Sequence, residues 1–312
     1  MVCVGVLGRF LLFALLSLEI RGGEGVDVDL NTLANIIKEL ELKVKPLPVP
    51  KTNSDKGNTI PSPPRAASVP RSRDKDPRHR SESMGPVVDV SPTTDILAVQ
   101  FAVVVAVPKE QCEPRLNRNT FLKKEDLNKI QDDLKQTHLH EGKQLIAATP
   151  QVGKGNRGIH SERRLLMCPS ANSKETPLQV LLRNNPDSCV IFYTYNSPCL
   201  KNCLNSKKDE DEENKYWAQI ARNSKNKKNK EGKEPVQPVK KCILKSLEIL
   251  GKYEGPKAFV FKQVYKEDKG KAELGEKLKE VSDRIPLYRC NPGCNPCKSN
   301  IINVPINPLC TD

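Results

Sequence analysis

The sequence predicts an α/β fold in which helices flank a sheet that contains parallel strand pairs. Residues 96–108 and Cys189–Tyr195 are continuously apolar and rich in β-branched or aromatic side chains, as strands buried on both faces are. Segments with helical periodicity alternate with such strands along the chain. The chain contains no internal repeat. With 25 prolines and only 37% hydrophobic residues, one compact domain with a long flexible leader is expected rather than two domains.

The first 25 residues predict a secretory signal peptide. An apolar run, Leu11–Leu18, follows Arg9 and precedes the small residues around Gly22. The run is too short to span a bilayer and has the length of a signal-peptide core; an uncleaved anchor or a buried helix is the alternative. No later segment reaches transmembrane length. We therefore expect a secreted, extracellular protein without a membrane span.

An amphipathic helix and a linker are predicted between the signal and the domain, over residues 26–94. Apolar side chains recur at helical spacing in residues 29–44, where Asp29 or Asn31 can cap the helix. This helix docks either on the domain or on a partner. Residues 46–93 lose all periodicity and are rich in Pro, Ser and charge, which predicts a disordered linker.

The domain itself is predicted over residues 95–290, from the local pattern of each element. Beside the two strands above, short strands are predicted at 144–150 and 257–265. Helices are predicted at 123–136, 160–167, 176–184, 197–205, 239–250 and 272–285. Residues 206–234 are nearly all charged or polar, which predicts an exposed insertion with one short helix.

Eleven cysteines indicate an oxidising compartment. Cys3 would leave with the signal, and Cys199 and Cys203 are candidates for a metal site. The remaining eight are even in number and are expected to pair: Cys112, Cys168, Cys189, Cys242, Cys290, Cys294, Cys297 and Cys310. We expect disulfides to hold the cysteine-rich tail, residues 290–312, to the domain; a second zinc site there is the alternative.

Nearly all of the formal net charge of +13 lies in residues 96–312, because residues 23–95 carry equal numbers of acidic and basic side chains. A basic folded half favours a polyanionic partner, such as nucleic acid or an anionic surface. A solubilising surface is the alternative. His138 and His140 have ligand spacing, but they lie in a polar connection that predicts a solvated loop.

Two short motifs carry the chemistry: H-x-E at His160 and Glu162, and S-P-C-x-x-x-C, which contains Cys199 and Cys203. A catalytic zinc takes three protein ligands and leaves a position for water, and one imidazole with two thiolates meets that count. In the predicted helix 197–205, with Ser197 as its cap, the two cysteines share a face. Its N-terminus also favours thiolates.

The chemistry that follows from a zinc ion is hydrolytic. Zinc lowers the pKa of a bound water to near neutrality, and Glu162 is free to act as the acid and base that moves protons. His160, Cys199 and Cys203 with this carboxylate match a zinc-deaminase signature. A disulfide between the cysteines, or a purely structural zinc, are the alternatives.

The segments GIHSERRLL and CVIFYTYNSPCLKNC resemble the cytidine deaminase superfamily, in particular its AID/APOBEC-like branch and the secreted members described in fish. The resemblance covers roughly residues 95–290. It implies a three-layer fold with a mixed five-stranded sheet, one catalytic zinc, cytosine-to-uracil deamination and a setting in host defence. His160, Cys199 and Cys203 match the family's zinc ligands, and Glu162 matches its proton carrier.

The chain departs from the family pattern before the S-P-C motif. Nucleic-acid deaminases often carry an aromatic residue where this chain has Asn196, and Tyr195 lies beside it. Asn156 falls where such enzymes contact the sugar. We therefore expect Asn156, Tyr195 and Asn196 to contact the substrate.

The leading hypothesis is a deaminase that acts on cytosine in single-stranded DNA or RNA. One alternative is a deaminase of free nucleosides or bases, because the same zinc site would serve. Another is a secreted protein without catalytic activity that captures nucleic acid or microbial surfaces through its charge.

Overall fold

The computed structural model describes residues 28–47, 100–114, 116–151, 158–169, 173–225, 240–299 and 306–312. The predicted signal peptide and nearly all of the predicted linker lie outside these ranges. Within them, no helix combines the length and the apolar character that a membrane crossing requires.

A mixed seven-stranded sheet forms the centre of the described structure, in the strand order β2-β3-β1-β4-β5-β6-β7. The strands are β1 Ala102–Pro108, β2 Leu139–Glu141, β3 Leu145–Ala148, β4 Ser188–Asn196, β5 Lys257–Gln263, β6 Leu287–Cys290 and β7 Cys294–Pro296. The pairs β4–β5 and β5–β6 are parallel, and the other pairs are antiparallel. The predicted α/β class with parallel pairs is confirmed.

Seven α-helices flank this sheet in the described ranges. They are α1 Leu30–Lys43, α2 Leu127–Gln136, α3 Ser161–Leu166, α4 Pro177–Asn184, α5 Ser206–Lys225, α6 Leu244–Gly251 and α7 Glu273–Ser282. The α5 helix fills most of the predicted charged insertion and is longer than expected. The α6 helix begins later than expected, because the backbone N–H groups of Lys241 and Cys242 donate to the Asp209 carboxylate.

The sheet has two strands more than the five that the resemblance implied. The five central strands, β3-β1-β4-β5-β6, are extended at the edges by β2 and β7, each three residues long. Segments this short show no alternation that a sequence pattern could reveal. The β7 strand forms a hairpin with β6, and a disulfide joins Cys290 to Cys294 across it.

The two faces of the sheet bury separate apolar layers. Alternate side chains of β4 divide between them, so that Phe192 faces α3, α4, α6 and α7, while Tyr193 faces α1 and α2. Helix α1 docks on this second face through Leu33, Ile36 and Leu40, which are fully buried. The amphipathic segment therefore covers the domain's own sheet.

The cysteine expectations are met in part. Disulfides join Cys112 to Cys189 and Cys297 to Cys310, in addition to the hairpin bridge. Cys168 is disulfide-bonded as well. The expectation that all eight would pair is wrong at Cys242, which is a half-buried free thiol.

The expectation that disulfides tie the tail to the body of the domain is also wrong for the two bridges of the tail. Cys290–Cys294 and Cys297–Cys310 each join two cysteines within residues 290–312. The tail is held by other means. Strand β6 pairs with β5, Arg289 donates to the Leu309 carbonyl, and Cys297, Ile306 and Cys310 are buried in the core.

The prediction of a solvated loop is wrong at His140, whereas His138 lies in the half-buried bend that precedes β2. His140 lies in β2 and is 2% exposed, because α2 packs over this edge of the sheet. Its Nδ1 is 2.7 Å from Asp133 Oδ2, and its Nε2 is 3.8 Å from Glu125 Oε2. Burial alone would lower the pKa of His140, but its pairing with these two carboxylates outweighs burial and raises it.

We expect the docking of α1 to contribute strongly to stability. Ile36→Ala should lower the free energy of unfolding by about 2–5 kcal/mol, because it removes a fully buried side chain and leaves a cavity. Leu42→Ala is the matched control on the same helix, since Leu42 is 71% exposed and should change stability by less than about 0.5 kcal/mol. Denaturant unfolding measures both; equal losses would contradict the docking.

The His140 cluster should make stability depend on pH. A folded-state pKa above the ordinary 6.5 adds stability that is fully present below that value and is lost as pH rises through the raised pKa. The pKa of Glu125 is lowered, since His140 and the Gln144 N–H outweigh burial, so its contribution is lost as pH falls below its ordinary 4.5.

His140→Gln should therefore destabilise the protein most between about pH 4.5 and pH 6.5, and less in alkaline solution. Urea unfolding of both proteins across this range measures the difference. A loss that grows as pH rises would contradict the proposed pairing.

Candidate active site

Three ligand-type side chains meet beyond the C-terminal end of β4. His160 Nδ1 lies 3.2 Å from Cys203 Sγ and 3.7 Å from Cys199 Sγ, and the two sulfurs are 3.6 Å apart. This is the one His/Cys/Asp/Glu group in the described ranges whose ligand atoms lie close enough to hold a metal ion. The sequence prediction that these three residues converge is thus realised in the structure.

The spacing of the three atoms fits a tetrahedral metal centre. Zn–S bonds of ~2.3 Å and Zn–N bonds of ~2.05 Å at tetrahedral angles place two sulfurs ~3.8 Å apart and a sulfur and a nitrogen ~3.6 Å apart. The observed separations lie within a few tenths of an ångström of these values. A disulfide needs sulfurs ~2.05 Å apart, and both thiols are free, so that alternative does not describe the pair.

The cysteines lie in a turn, and the predicted helix 197–205 is wrong. The Leu204 N–H donates to the Cys199 carbonyl across five residues, which no α-helix does. The Leu200 N–H donates to the Asp268 carboxylate at 2.7 Å, and Asp268 is 1% exposed. Ser197 does not cap a helix; its hydroxyl accepts from the Tyr265 N–H. The connection after β5 therefore shapes the turn.

His160 is the extended residue that immediately precedes α3, one residue outside the helix that the sequence predicted to begin there. Its hydrogen bond with Cys199 raises the pKa of His160 against the effect of burial. Hydrogen bonds from Cys203 and His160 lower the pKa of Cys199. The hydrogen bond with Cys199, together with burial, raises the pKa of Cys203.

Glu162 lies on the first turn of α3 with its carboxylate buried. Oε1 accepts hydrogen bonds from Thr194 Oγ1 at 2.8 Å and Gln100 Nε2 at 3.1 Å, and Oε2 accepts from Ser161 Oγ at 3.2 Å. Burial raises the pKa of Glu162, and the charge of His160 opposes that shift. We call His160, Cys199 and Cys203 the triad; the Glu162 carboxylate lies near it and is not one of its members.

Of the three side chains expected to contact substrate, the structure describes Tyr195 and Asn196, which lie apart from each other. Asn156 lies outside the described residues. Tyr195 lies on the sheet face opposite Thr194, where it packs against Phe101, because successive residues of a strand point to opposite faces. Asn196 reaches the site's edge, but it is hydrogen-bonded to Gln100 and Gln263.

Sequence reasoning missed several side chains that surround the site: Gln100, Thr194, Asp268 and Tyr265. Two of them carried a usable signal. Gln100 interrupts the apolar run 96–108, and Thr194 is the polar residue near the end of the apolar run in β4. A polar side chain in a strand buried on both faces needs a hydrogen-bond partner. Tyr265 follows β5, and burial and nearby Cys199 raise its pKa.

A family model described as Secreted Novel AID/APOBEC-like Deaminase 1 matches residues 85–228 and 237–310 of the chain. The matched segments include the triad, Glu162 and all strands of the sheet. No curated protein matches the chain, and no solved structure does.

We expect the purified protein to bind one zinc ion per chain, held by the triad. Cys203→Ser should abolish stoichiometric zinc, because the substitution removes one of the three ligands. Cys242→Ser is the matched control, since Cys242 is a free thiol outside the triad. Elemental analysis after dialysis measures the metal; zinc retained by Cys203→Ser, or lost from Cys242→Ser, would contradict the assignment.

Proposed function

The chain belongs to the family Secreted Novel AID/APOBEC-like Deaminase 1, and on this basis we propose that it is a secreted, zinc-dependent hydrolytic deaminase of cytosine in single-stranded DNA or RNA. The observation that carries the proposal is the buried Glu162 carboxylate beside a His160–Cys199–Cys203 triad with metal-ligand spacing. That combination supplies three metal ligands and a separate proton carrier, which is what hydrolytic deamination requires.

His160 Nδ1 and the two thiolates would hold the zinc ion, and they leave a fourth position for solvent. A zinc ion there would lower the pKa of a bound water, so that a nucleophile is available near neutral pH. The remaining chemistry falls to the protein's side chains, because neither the imidazole nor the thiolates stay free to exchange protons.

Glu162 would perform the proton transfers. Its carboxylate accepts a proton from the attacking water, delivers it to the ring nitrogen of cytosine, and assists departure of the amino group as ammonia. Burial favours the neutral carboxyl, so a proton taken from water can be held until it is passed on. The products are uracil and ammonia.

A single-stranded polymer is the substrate that the charge distribution favours. The surplus of basic side chains lies in residues 96–312, the part of the chain that carries the site. Phosphates are attracted to such a surface, and an unpaired base enters a deaminase pocket without the cost of opening a duplex. The disulfides and the family description support secretion.

We expect Glu162→Gln to lower turnover by at least ~100-fold while zinc content stays unchanged, because the amide cannot carry the proton. Glu141→Gln is the matched control, since Glu141 is exposed on β2. Uracil formation in single-stranded DNA and RNA oligonucleotides is measured with zinc-loaded protein, and ammonia release is measured with free cytidine and cytosine.

The outcomes separate the candidate functions. Product from cytidine or cytosine alone would identify a free-nucleoside or free-base deaminase. Binding of oligonucleotides that survives Glu162→Gln, with no product from any substrate, would identify a binding protein and overturn the enzymatic proposal.

A further inference from the structure

A line of amide side chains crosses the ends of three adjacent strands and finishes at Glu162. Asn196 Oδ1 accepts from Gln263 Nε2 at 2.8 Å. Gln100 Oε1 accepts from Asn196 Nδ2 at 2.7 Å and from the Asn196 backbone N–H at 3.0 Å. Gln100 Nε2 then lies 3.1 Å from Glu162 Oε1. We call Gln263, Asn196 and Gln100, together with Thr194, the amide line.

The register of the sheet creates this line. Asn196 pairs with Gln263 in the parallel β4–β5 ladder. In the antiparallel β1–β4 ladder Ala102 pairs with Thr194, so Gln100, two residues before Ala102, comes opposite Asn196. The three amides are thus cross-strand neighbours on one face, and the line does not depend on a flexible loop.

The orientation of the Gln100 amide follows from the backbone. A main-chain N–H can only donate, so the Gln100 atom that faces the Asn196 N–H must be oxygen. The Gln100 NH₂ group therefore points the other way, toward Glu162 and Thr194. The usual ambiguity between oxygen and nitrogen in a glutamine side chain does not arise.

This orientation also assigns the hydroxyl of Thr194. Gln100 Nε2 lies 3.1 Å from Thr194 Oγ1 and has only hydrogens to offer, so Thr194 accepts from it. The Thr194 O–H then has two acceptors within reach, Glu162 Oε1 at 2.8 Å and the Asn196 carbonyl at 3.1 Å, and the carboxylate is both the nearer and the stronger acceptor. Oε1 thus faces two side-chain donors, from Gln100 and Thr194, while the side-chain donor to Oε2 is the Ser161 hydroxyl at 3.2 Å.

We propose that the amide line is a positioning device for Glu162: Gln100 and Thr194 anchor Oε1, which leaves Oε2 as the oxygen that exchanges the proton, and Asn196 braces Gln100. This proposal rests on the proposed function in its use of Glu162. It assigns to Asn196 a role in the enzyme's interior, in place of the substrate contact that the sequence suggested.

The physical reason is that a buried carboxylate without fixed hydrogen-bond donors can rotate about the single bonds of its side chain. Charge-assisted hydrogen bonds from rigid strands restrict that rotation. Misplacement of a reacting group by about 1 Å can cost about 100-fold in rate. The loss of one anchor should therefore lower kcat and leave KM and zinc content unchanged, since no residue of the line is a metal ligand.

The first test compares variants of similar shape by their kinetics on a single-stranded oligonucleotide. Gln100→Met and Thr194→Val should each lower kcat by about 10- to 100-fold at unchanged KM and zinc content. Thr194→Ser keeps the hydroxyl and should restore kcat to within about threefold of the original protein. If Gln100→Met does not fold, the Val and Ser variants of Thr194 carry the comparison.

Matched controls come from elsewhere in the chain. Gln131→Met removes a glutamine whose Nε2 donates to the carbonyls of Val44 and Lys45, and Thr149→Val removes a buried hydroxyl that donates to the Leu134 carbonyl. Both should cost stability and leave kcat unchanged. A fall in kcat equal to that of the amide-line variants would overturn the proposal, and so would unchanged kcat in Thr194→Val.

The second test does not require activity. Thermal unfolding is measured for Gln100→Met, Glu162→Gln and the double variant. If the residues are coupled, the double variant loses less in Tm than the sum of the single losses. Strictly additive losses would overturn the proposal. Should the protein deaminate none of the substrates, the proposed function fails, and this cycle still decides whether Gln100 holds Glu162.

Discussion

The pairing of β4 on both sides is the constraint on which the rest of the structure depends. This strand pairs with β1 over seven positions and with β5 along its other edge, and its residues Ser188–Tyr193 are buried. Its register therefore decides which side chains face the triad. A slip of one residue would exchange Thr194 with Tyr195 and remove the donor that reaches Glu162.

The two ends of β4 have different roles: a disulfide stabilises its start, and its finish carries residues of the candidate active site. At its start, a disulfide joins Cys189 to Cys112 over a separation of 77 residues, and closing such a loop stabilises a fold by about 4.5 kcal/mol in the chain-entropy model. At its finish, the buried Thr194 hydroxyl contacts the buried Glu162 carboxylate, and the burial of such polar groups costs stability. The fold can hold a buried Glu162 because apolar packing and a covalent bridge secure the other end of β4.

The sequence was most informative where residue chemistry and burial coincide. Continuous apolar runs predicted β1 and β4, and the H-x-E and S-P-C-x-x-x-C motifs predicted which side chains meet. Local patterns failed where tertiary contacts decide the conformation. The buried Asp268 carboxylate accepts a hydrogen bond from the Leu200 N–H and shapes a turn where a helix was expected. Helix α2 covers His140, which lies in a strand too short to show alternation.

The departure at Asn196 has a structural explanation that sequence comparison alone did not supply. Both heteroatoms of its side chain are engaged, Nδ2 by Gln100 and Oδ1 by Gln263, and its backbone N–H is bonded as well. These bonds fix the orientation of the Asn196 amide and leave one N–H and one oxygen lone pair for other partners. A phenylalanine there could not donate to Gln100 from its side chain, so the orientation of that amide would depend on one backbone N–H alone. The connection after β5 lies at the same edge of the site, because it contacts the cysteine turn through the Tyr265 N–H and the Asp268 carboxylate, and it therefore helps to fix the surroundings of the triad.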